Sequence, residues 1–174
     1  MHVADTSPSP FIADHLRHVP QSGAVLDLAC GGGRHTRLAR LLGHPVLAVD
    51  RDISAVVQIA SVDTGIEVLR ADLEAAPWPL KDRKFAGVIV SNYLWRPLLP
   101  AILNAVALGG VLLYETFAVG NERFGRPRNK DFLLRDGELR DHVVGQFLIV
   151  HYEHGHEGDP VRSVRQRICA VRQH

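Results

Sequence analysis

The chain has 174 residues, 46% of them hydrophobic and 22% charged. That is an ordinary soluble composition, with length enough for one domain over residues 1–174 and a real core. The formal net charge of +1 excludes a global field that would draw in nucleic acid or an anionic membrane, and no apolar run reaches membrane-spanning length.

The polar, proline-containing stretch 1–10 does not read as a signal peptide. Cys30 and Cys169 form no C-x-x-C pair, which fits a reducing compartment and gives neither a disulfide framework nor a zinc site. A cytoplasmic chain that contacts no membrane is the expectation.

Ser7-Pro8-Ser9-Pro10 reads as a helix entry. Phe11, Ile12, His15, Leu16 and Val19 follow at helical spacing, and Pro20 ends the helix. Residues 24–29 are nearly all apolar, as a strand covered on both faces must be. Gly31, Gly32 and Gly33 come next, with no side chain to keep a ligand from the backbone. A helix over 34–42 then points its free N–H groups at whatever lies over those glycines.

A second strand over 44–49 closes on Asp50, and Asp52 and Ser54 cap a helix over 55–60. A third strand, 66–70, closes on Ala71-Asp72-Leu73. A fourth, 85–91, runs into Asn92-Tyr93-Leu94-Trp95. A helix over 98–108 is ended by Gly109-Gly110, and a fifth strand, 111–114, leads to Glu115. Residues 120–130 have no period and carry Arg123, Arg126, Arg128 and Lys130; a loop of that length in a compact domain is usually functional or disordered. Residues 131–139 turn into a helix. Strands over 147–153 and 161–171 close the chain, the second by strict alternation.

The glycine turn admits more than one ligand. The dinucleotide fingerprint G-x-G-x-x-G/A is met at Gly31 and Gly33, but Thr36 stands in its third position. Asp27 lies inside the first strand, where it repels a pyrophosphate and accepts a cationic ligand. Asp50, at the end of the second strand, is placed to accept both hydroxyl hydrogens of a ribose. Asp27, Asp50 and Asp72 are spaced by 23 and 22 residues, about one β-α unit each. His151, His154, His156 and His174 have no spacing that suits a compact metal site, so no metal is expected.

Asp27-x-Ala29-x-Gly31-x-Gly33 resembles the first motif of the class I S-adenosylmethionine-dependent methyltransferases, an acid followed by Gly-x-Gly-x-Gly, with Ala29 where the first glycine usually stands. The helix, Gly-Gly and strand transition near residue 110 is similar too, and residues 120–139 resemble short bacterial methyltransferases akin to the tellurite-resistance type. The resemblance implies an α/β, Rossmann-like fold: a seven-stranded, mostly parallel sheet with an antiparallel C-terminal strand and helices on both faces. It implies S-adenosyl-L-methionine as cofactor. Asp27, Ala29, Cys30, Gly31 and Gly33 would hold the methionine end, Asp50 and Arg51 the ribose, and Ala71, Asp72 and Leu73 the adenine. A helix ahead of the first strand often lids that pocket in this class.

Asn92 would stand near the methyl group and, with Tyr93 and Glu115, would line the acceptor site, with Arg126 and Arg128 closing over it. The Asn/Asp-Pro-Pro-aromatic motif of methylases acting on amino nitrogens is missing after Asn92. The expected reaction is in-line methyl transfer to a small molecule. The alternatives are an RNA- or protein-modifying enzyme using the basic loop with Arg162, Arg165 and Arg167, and a non-catalytic S-adenosylmethionine-binding module. An oxidoreductase is a distant fourth. The acceptor and the oligomeric state stay open.

Overall fold

A computed structural model describes residues 6–173; His174 and the first half of the 1–10 stretch lie outside these. The element order is α1 (Pro10–His15), β1 (Val25–Leu28), α2 (Arg34–Leu41), β2 (Val46–Asp50), α3 (Ser54–Ala60), β3 (Ile66–Arg70), β4 (Phe85–Ser91), α4 (Leu99–Ala105), β5 (Val106–Phe117), α5 (Glu138–Val143), β6 (Phe147–Glu157) and β7 (Ser163–Arg172). The seven strands form one sheet in the order β3-β2-β1-β4-β5-β7-β6. Strands β1 to β5 pair in parallel, and β7 runs antiparallel to both β5 and β6. This is the expected Rossmann-like arrangement.

Alternation along the strands splits the core into two layers. Leu26, Leu28, Val88, Val90 and Tyr114 pack with Ile102 and Leu103 of α4 and Leu139 and Val143 of α5. Val25, Val46, Ile89 and Leu113 pack on the other face with Phe11 and Ile12 of α1 and Ala39 of α2. The chain order reverses between β1 and β4, and ligands of open α/β sheets bind outside the carboxyl ends of the strands at such a point.

Two expectations need correction. The helix expected over 98–108 stops at Ala105, because Val106 pairs with Phe85 of β4. Gly109 and Gly110 therefore do not end a helix; they sit in a bulge of β5, between the pairs Phe85↔Val106 and Gly87↔Val111. Gly109 takes φ +73°, and a Cβ on Gly110 would stand 2.9 Å from the Phe85 carbonyl oxygen. The helix expected from Phe11 to Val19 is shorter too: Ser9 caps α1 at the Ile12 N–H, and a 3-10 turn, Leu16–His18, finishes it.

The 120–130 segment is tied down. Buried Asn121 accepts from the Val164 N–H and donates to the Arg126 carbonyl oxygen. Beyond it, Arg96 binds Glu138 and the carbonyls of Asp131 and Leu133. Among the described residues, no helix is long and apolar enough to cross a membrane.

Candidate active site

The turn after β1 is built by backbone geometry. Ala29 takes φ +54°, Gly31 +52° and Gly33 +74°. Only glycine adopts such angles without steric cost, so Ala29 is held there under strain. The Cys30 N–H bonds the Val49 carbonyl and so ties the turn to β2. A Cβ on Gly33 would meet Ile59 Cδ1 at 2.8 Å and Val56 Cγ2 at 3.1 Å, so this glycine lets α3 pack against the start of α2. Gly31 and Gly32 are different. Apart from the adjoining residues, no atom lies within 4 Å of where their Cβ atoms would stand, and both line a cavity.

Asp50 is the hinge of the site. Its Oδ2 accepts the Gly31 N–H at 2.8 Å and its Oδ1 the Asp52 N–H at 2.9 Å. Asp72 stands exposed at the end of β3, its Oδ1 accepting the N–H groups of Glu74 and Ala75. Those two bonds hold its carboxyl below the usual range.

Two cavities meet at Ala29. One, of about 200 Å³, is lined by Asp50, Arg51, Ala71, Asp72, Leu73 and Tyr93, with Glu74 at its edge. The Tyr93 hydroxyl oxygen is buried there without a hydrogen-bond partner. Burial, with Glu74, Asp72 and Asp50 beyond it, pushes that phenol well above its ordinary value, so it stays protonated. Its backbone is fixed by Tyr114, whose hydroxyl donates to the Tyr93 carbonyl at 2.9 Å. The second cavity, of about 410 Å³, is lined by the glycine turn, Arg34, His35, Arg37, Ser91 and Asn92.

Asp27 lines neither cavity. It is buried beneath the turn, and its Oδ2 accepts the Thr36 hydroxyl at 2.6 Å. Burial raises its pKa to about 6, against the pull of the Thr36 hydrogen bonds. The Cys30 thiol, at the wall of the second cavity, is also pushed up by burial.

Glu115 does not line a cavity either. It is buried behind β4, accepting the Ser91 hydroxyl at 2.9 Å and pairing with Arg167 at 3.2 Å. Arg167 also pairs with Glu153 and Glu157. Arg165 pairs with Glu157, lies 4.1 Å over the Phe117 ring and donates to Asn92 Oδ1 at 2.7 Å. Asn92 takes φ +57°, an angle that this anchored side chain and the Asn92 N–H bond to the Glu115 carbonyl hold in place.

Of the three residues expected to line the acceptor site, only Asn92 reaches the second cavity. Tyr93 faces the Asp50 and Asp72 cavity, and Glu115 supports Ser91 from behind. Arg126 and Arg128 line neither cavity, because Asn121 pulls their loop toward β7. Arg165 and Arg167, which with Arg162 would serve the alternative RNA- or protein-modifying reading, are spent on internal ion pairs.

Arg34, His35, Arg37 and Ser91 line the second cavity although no motif marks them. The available signal was two arginines in the first turn of the helix that follows the glycines, where a cation is unfavourable. The N-terminal segment closes over this side: Ser9 donates its N–H to His35 Nε2 at 3.1 Å, and Arg34 donates to the Ser7 carbonyl. Burial beside Arg34 lowers His35 to about 4, which keeps the ring neutral.

Residues 25–108 match the family model described as a methyltransferase domain. No curated protein sequence matches the chain. Its fold is similar to that of TehB from Haemophilus influenzae at TM-score 0.71 and 19% identity, covering 93% of this chain. The chain spans 61% of that protein. An S-adenosylmethionine-dependent methyltransferase from Mesorhizobium loti aligns at TM-score 0.69 and 19% identity over 91% of this chain and 96% of its own. The 1,6-didemethyltoxoflavin-N1-methyltransferase of Burkholderia thailandensis, solved with 1,6-didemethyltoxoflavin and S-adenosylhomocysteine bound, aligns at TM-score 0.71 and 17% identity over 95% of this chain and 77% of its own.

Proposed function

We propose that this chain, a class I S-adenosylmethionine-dependent methyltransferase by its matched domain and fold, transfers the methyl group to a small-molecule acceptor. One observation carries the reading: two cavities of unlike lining share Ala29, among residues that follow the carboxyl ends of β1, β2, β3 and β4.

The residues present fit an S-adenosyl group. The smaller cavity has carboxylates at Asp50 and Asp72 and an orphaned phenol at Tyr93, a demand for polar partners that a nucleoside meets. Gly31 and Gly32 leave open the space that side chains would fill. In this reading Asp50 and Arg51 hold the ribose, and Ala71, Asp72 and Leu73 frame the adenine. Gly31, Gly33 and Cys30 offer backbone to the methionine end. Asp27 acts at one remove, through Thr36, by fixing the start of α2.

When bound, the cofactor supplies the reactive methyl carbon and the leaving group. The chain's own work is to align the acceptor with that carbon and keep water out. Ser91 and Asn92, held by Glu115 and Arg165, are the rigid wall on which it is aligned. Modification of a macromolecule is the second reading. It is favoured by the exposed Arg123, Arg126, Arg128 and Lys130, a basic patch of the kind that tracks phosphates.

Release of S-adenosylhomocysteine from S-adenosylmethionine, followed with fractionated metabolites, with bulk RNA and with protein extract, separates the readings. Turnover on the metabolite fraction alone supports the small-molecule reading. Turnover that needs RNA or protein overturns it.

A further inference from the structure

We infer that the acceptor enters the larger cavity already ionised, as an anion. The inference rests on the methyltransferase reading and names the acceptor's chemical class.

Its ground is the lining of the 410 Å³ cavity. Among the described residues no carboxylate lines it, while Arg34 and Arg37 both do. Arg34 spends its guanidinium on the Ser7 carbonyl and the Ser91 hydroxyl, neither of them charged. The Arg37 side chain makes no hydrogen bond or ion pair among the described residues and is exposed. The two stand three residues apart on one face of α2, where like charges repel, and in its first turn, where the helix dipole opposes them. Buried Asp27 attracts Arg34, but Arg37 holds its place with no ion pair among the described residues, which points to a ligand. A bound cofactor's carboxylate would answer one guanidinium, and its sulfonium and ammonium would leave positive charge in excess at the pair.

The neutral groups on the wall are donors as well. Asn92 Oδ1 is occupied by Arg165, which leaves its amide N–H groups as the unheld end. His35 Nε2 is occupied by the Ser9 N–H, so the ring's remaining hydrogen sits on Nδ1 and no lone pair is left to take a proton. The carboxylates behind the lining are all engaged: Glu115 by Ser91 and Arg167, Asp27 by the Thr36 hydroxyl, and Asp50 by the N–H groups of Gly31 and Asp52. The lining therefore has donors and positive charge but no base.

The chemistry closes on those terms. A lone pair of the anion forms the bond to the methyl carbon as the carbon–sulfur bond breaks, and that bonding pair returns to sulfur. The acceptor's negative charge and the sulfonium's positive charge cancel, and no proton has to leave. A neutral amine or alcohol would have to shed a proton, and nothing in the cavity takes it.

The test uses one ring carrying different charges. The full-length protein, saturated with S-adenosylhomocysteine, is titrated calorimetrically with benzoate, thiophenolate, phenol, aniline and benzylammonium at mildly alkaline pH. Each hydrogen bond to a charged group is strong, so the two anions are expected to bind about tenfold tighter or more than the neutral compounds. Thiophenolate should also release S-adenosylhomocysteine from S-adenosylmethionine. In Arg37→Gln, measured at saturating S-adenosylhomocysteine, the ratio of anion to neutral affinity should fall several-fold. Equal affinities across the series, or a preference for benzylammonium, overturn the inference. So does an unchanged ratio in Arg37→Gln with weaker S-adenosylhomocysteine binding, which would assign Arg37 to the cofactor alone. If S-adenosylhomocysteine itself does not bind, the methyltransferase reading falls; if it binds and the series is flat, only this inference falls.

Discussion

Thr36 donates its hydroxyl to Asp27 Oδ2 across 2.6 Å, wholly inside the protein beneath the glycine turn. The bond joins β1 to α2 and leaves a carboxyl where its charge is poorly solvated. Burial raises Asp27 from 3.8 to about 6, so between those values the folded chain holds a proton that the unfolded chain has released. A raised folded-state value gives stability that is fully present below about 4 and lost as pH climbs through about 6. Asp27→Asn keeps an oxygen for Thr36 and removes the titration. Near neutral pH the variant should exceed the parent by up to about 3 kcal/mol, and its urea midpoint should stay flat where the parent's declines. Parallel pH profiles would show that Asp27 does not titrate in this way.

Ala29 and Gly33 make opposite predictions from the same region of backbone space. At φ +54° Ala29 carries left-handed strain that Ala29→Gly relieves, for a net gain of about 0.5–1 kcal/mol after the glycine's larger unfolded-state entropy. Gly33→Ala adds a side chain at φ +74°, 2.8 Å from Ile59 Cδ1. It should cost about 2–4 kcal/mol. Denaturant unfolding of the two variants checks both signs.

Tyr93→Phe separates stability from binding. The hydroxyl is buried without a partner, so its removal should leave the free protein as stable as before or up to about 1 kcal/mol more so. Affinity for S-adenosylhomocysteine should fall at the same time. A variant that loses stability would mean the phenol is already satisfied in the free protein.

The Glu115–Arg167 pair lies in the interior, with 3% and 14% of the side chains accessible. Arg167→Met leaves Glu115 buried without its cation and should cost about 3–5 kcal/mol. Adding Glu115→Gln should return a large part of that loss, since the amide still accepts from Ser91. A double-mutant cycle by urea unfolding reads the coupling, and strictly additive losses would deny it.

The parallel half of the fold was legible because its signals are local. Buried strands read as apolar runs, and Gly31, Gly33, Asp50 and Asp72 fall where a strand gives way to a turn. What escaped depends on pairing between distant segments. Val106 looks helical until Phe85 pairs with it. Arg165 and Arg167 read as a charged strand face until Glu115, Glu153 and Glu157 close around them. Tyr93 and Asn92 are adjacent in sequence but serve different cavities, because Asn92 turns the chain at φ +57°. No periodicity reports that turn.

The central claim is that Asp50, Asp72 and the glycine turn make an S-adenosyl pocket. Calorimetric titration of the full chain with S-adenosylhomocysteine tests it most directly, with NADH as a parallel control. Two variants belong beside it: Asp50→Ala, and Ala71→Phe, which fills the smaller cavity while leaving the Asp50 side chain in place. The account predicts micromolar binding of S-adenosylhomocysteine, no signal with NADH, and binding weakened at least about tenfold in both variants. No binding of S-adenosylhomocysteine by the parent, or equal binding by Ala71→Phe, would contradict it, and Asp50 and Asp72 would then be only the turn caps that their backbone bonds describe.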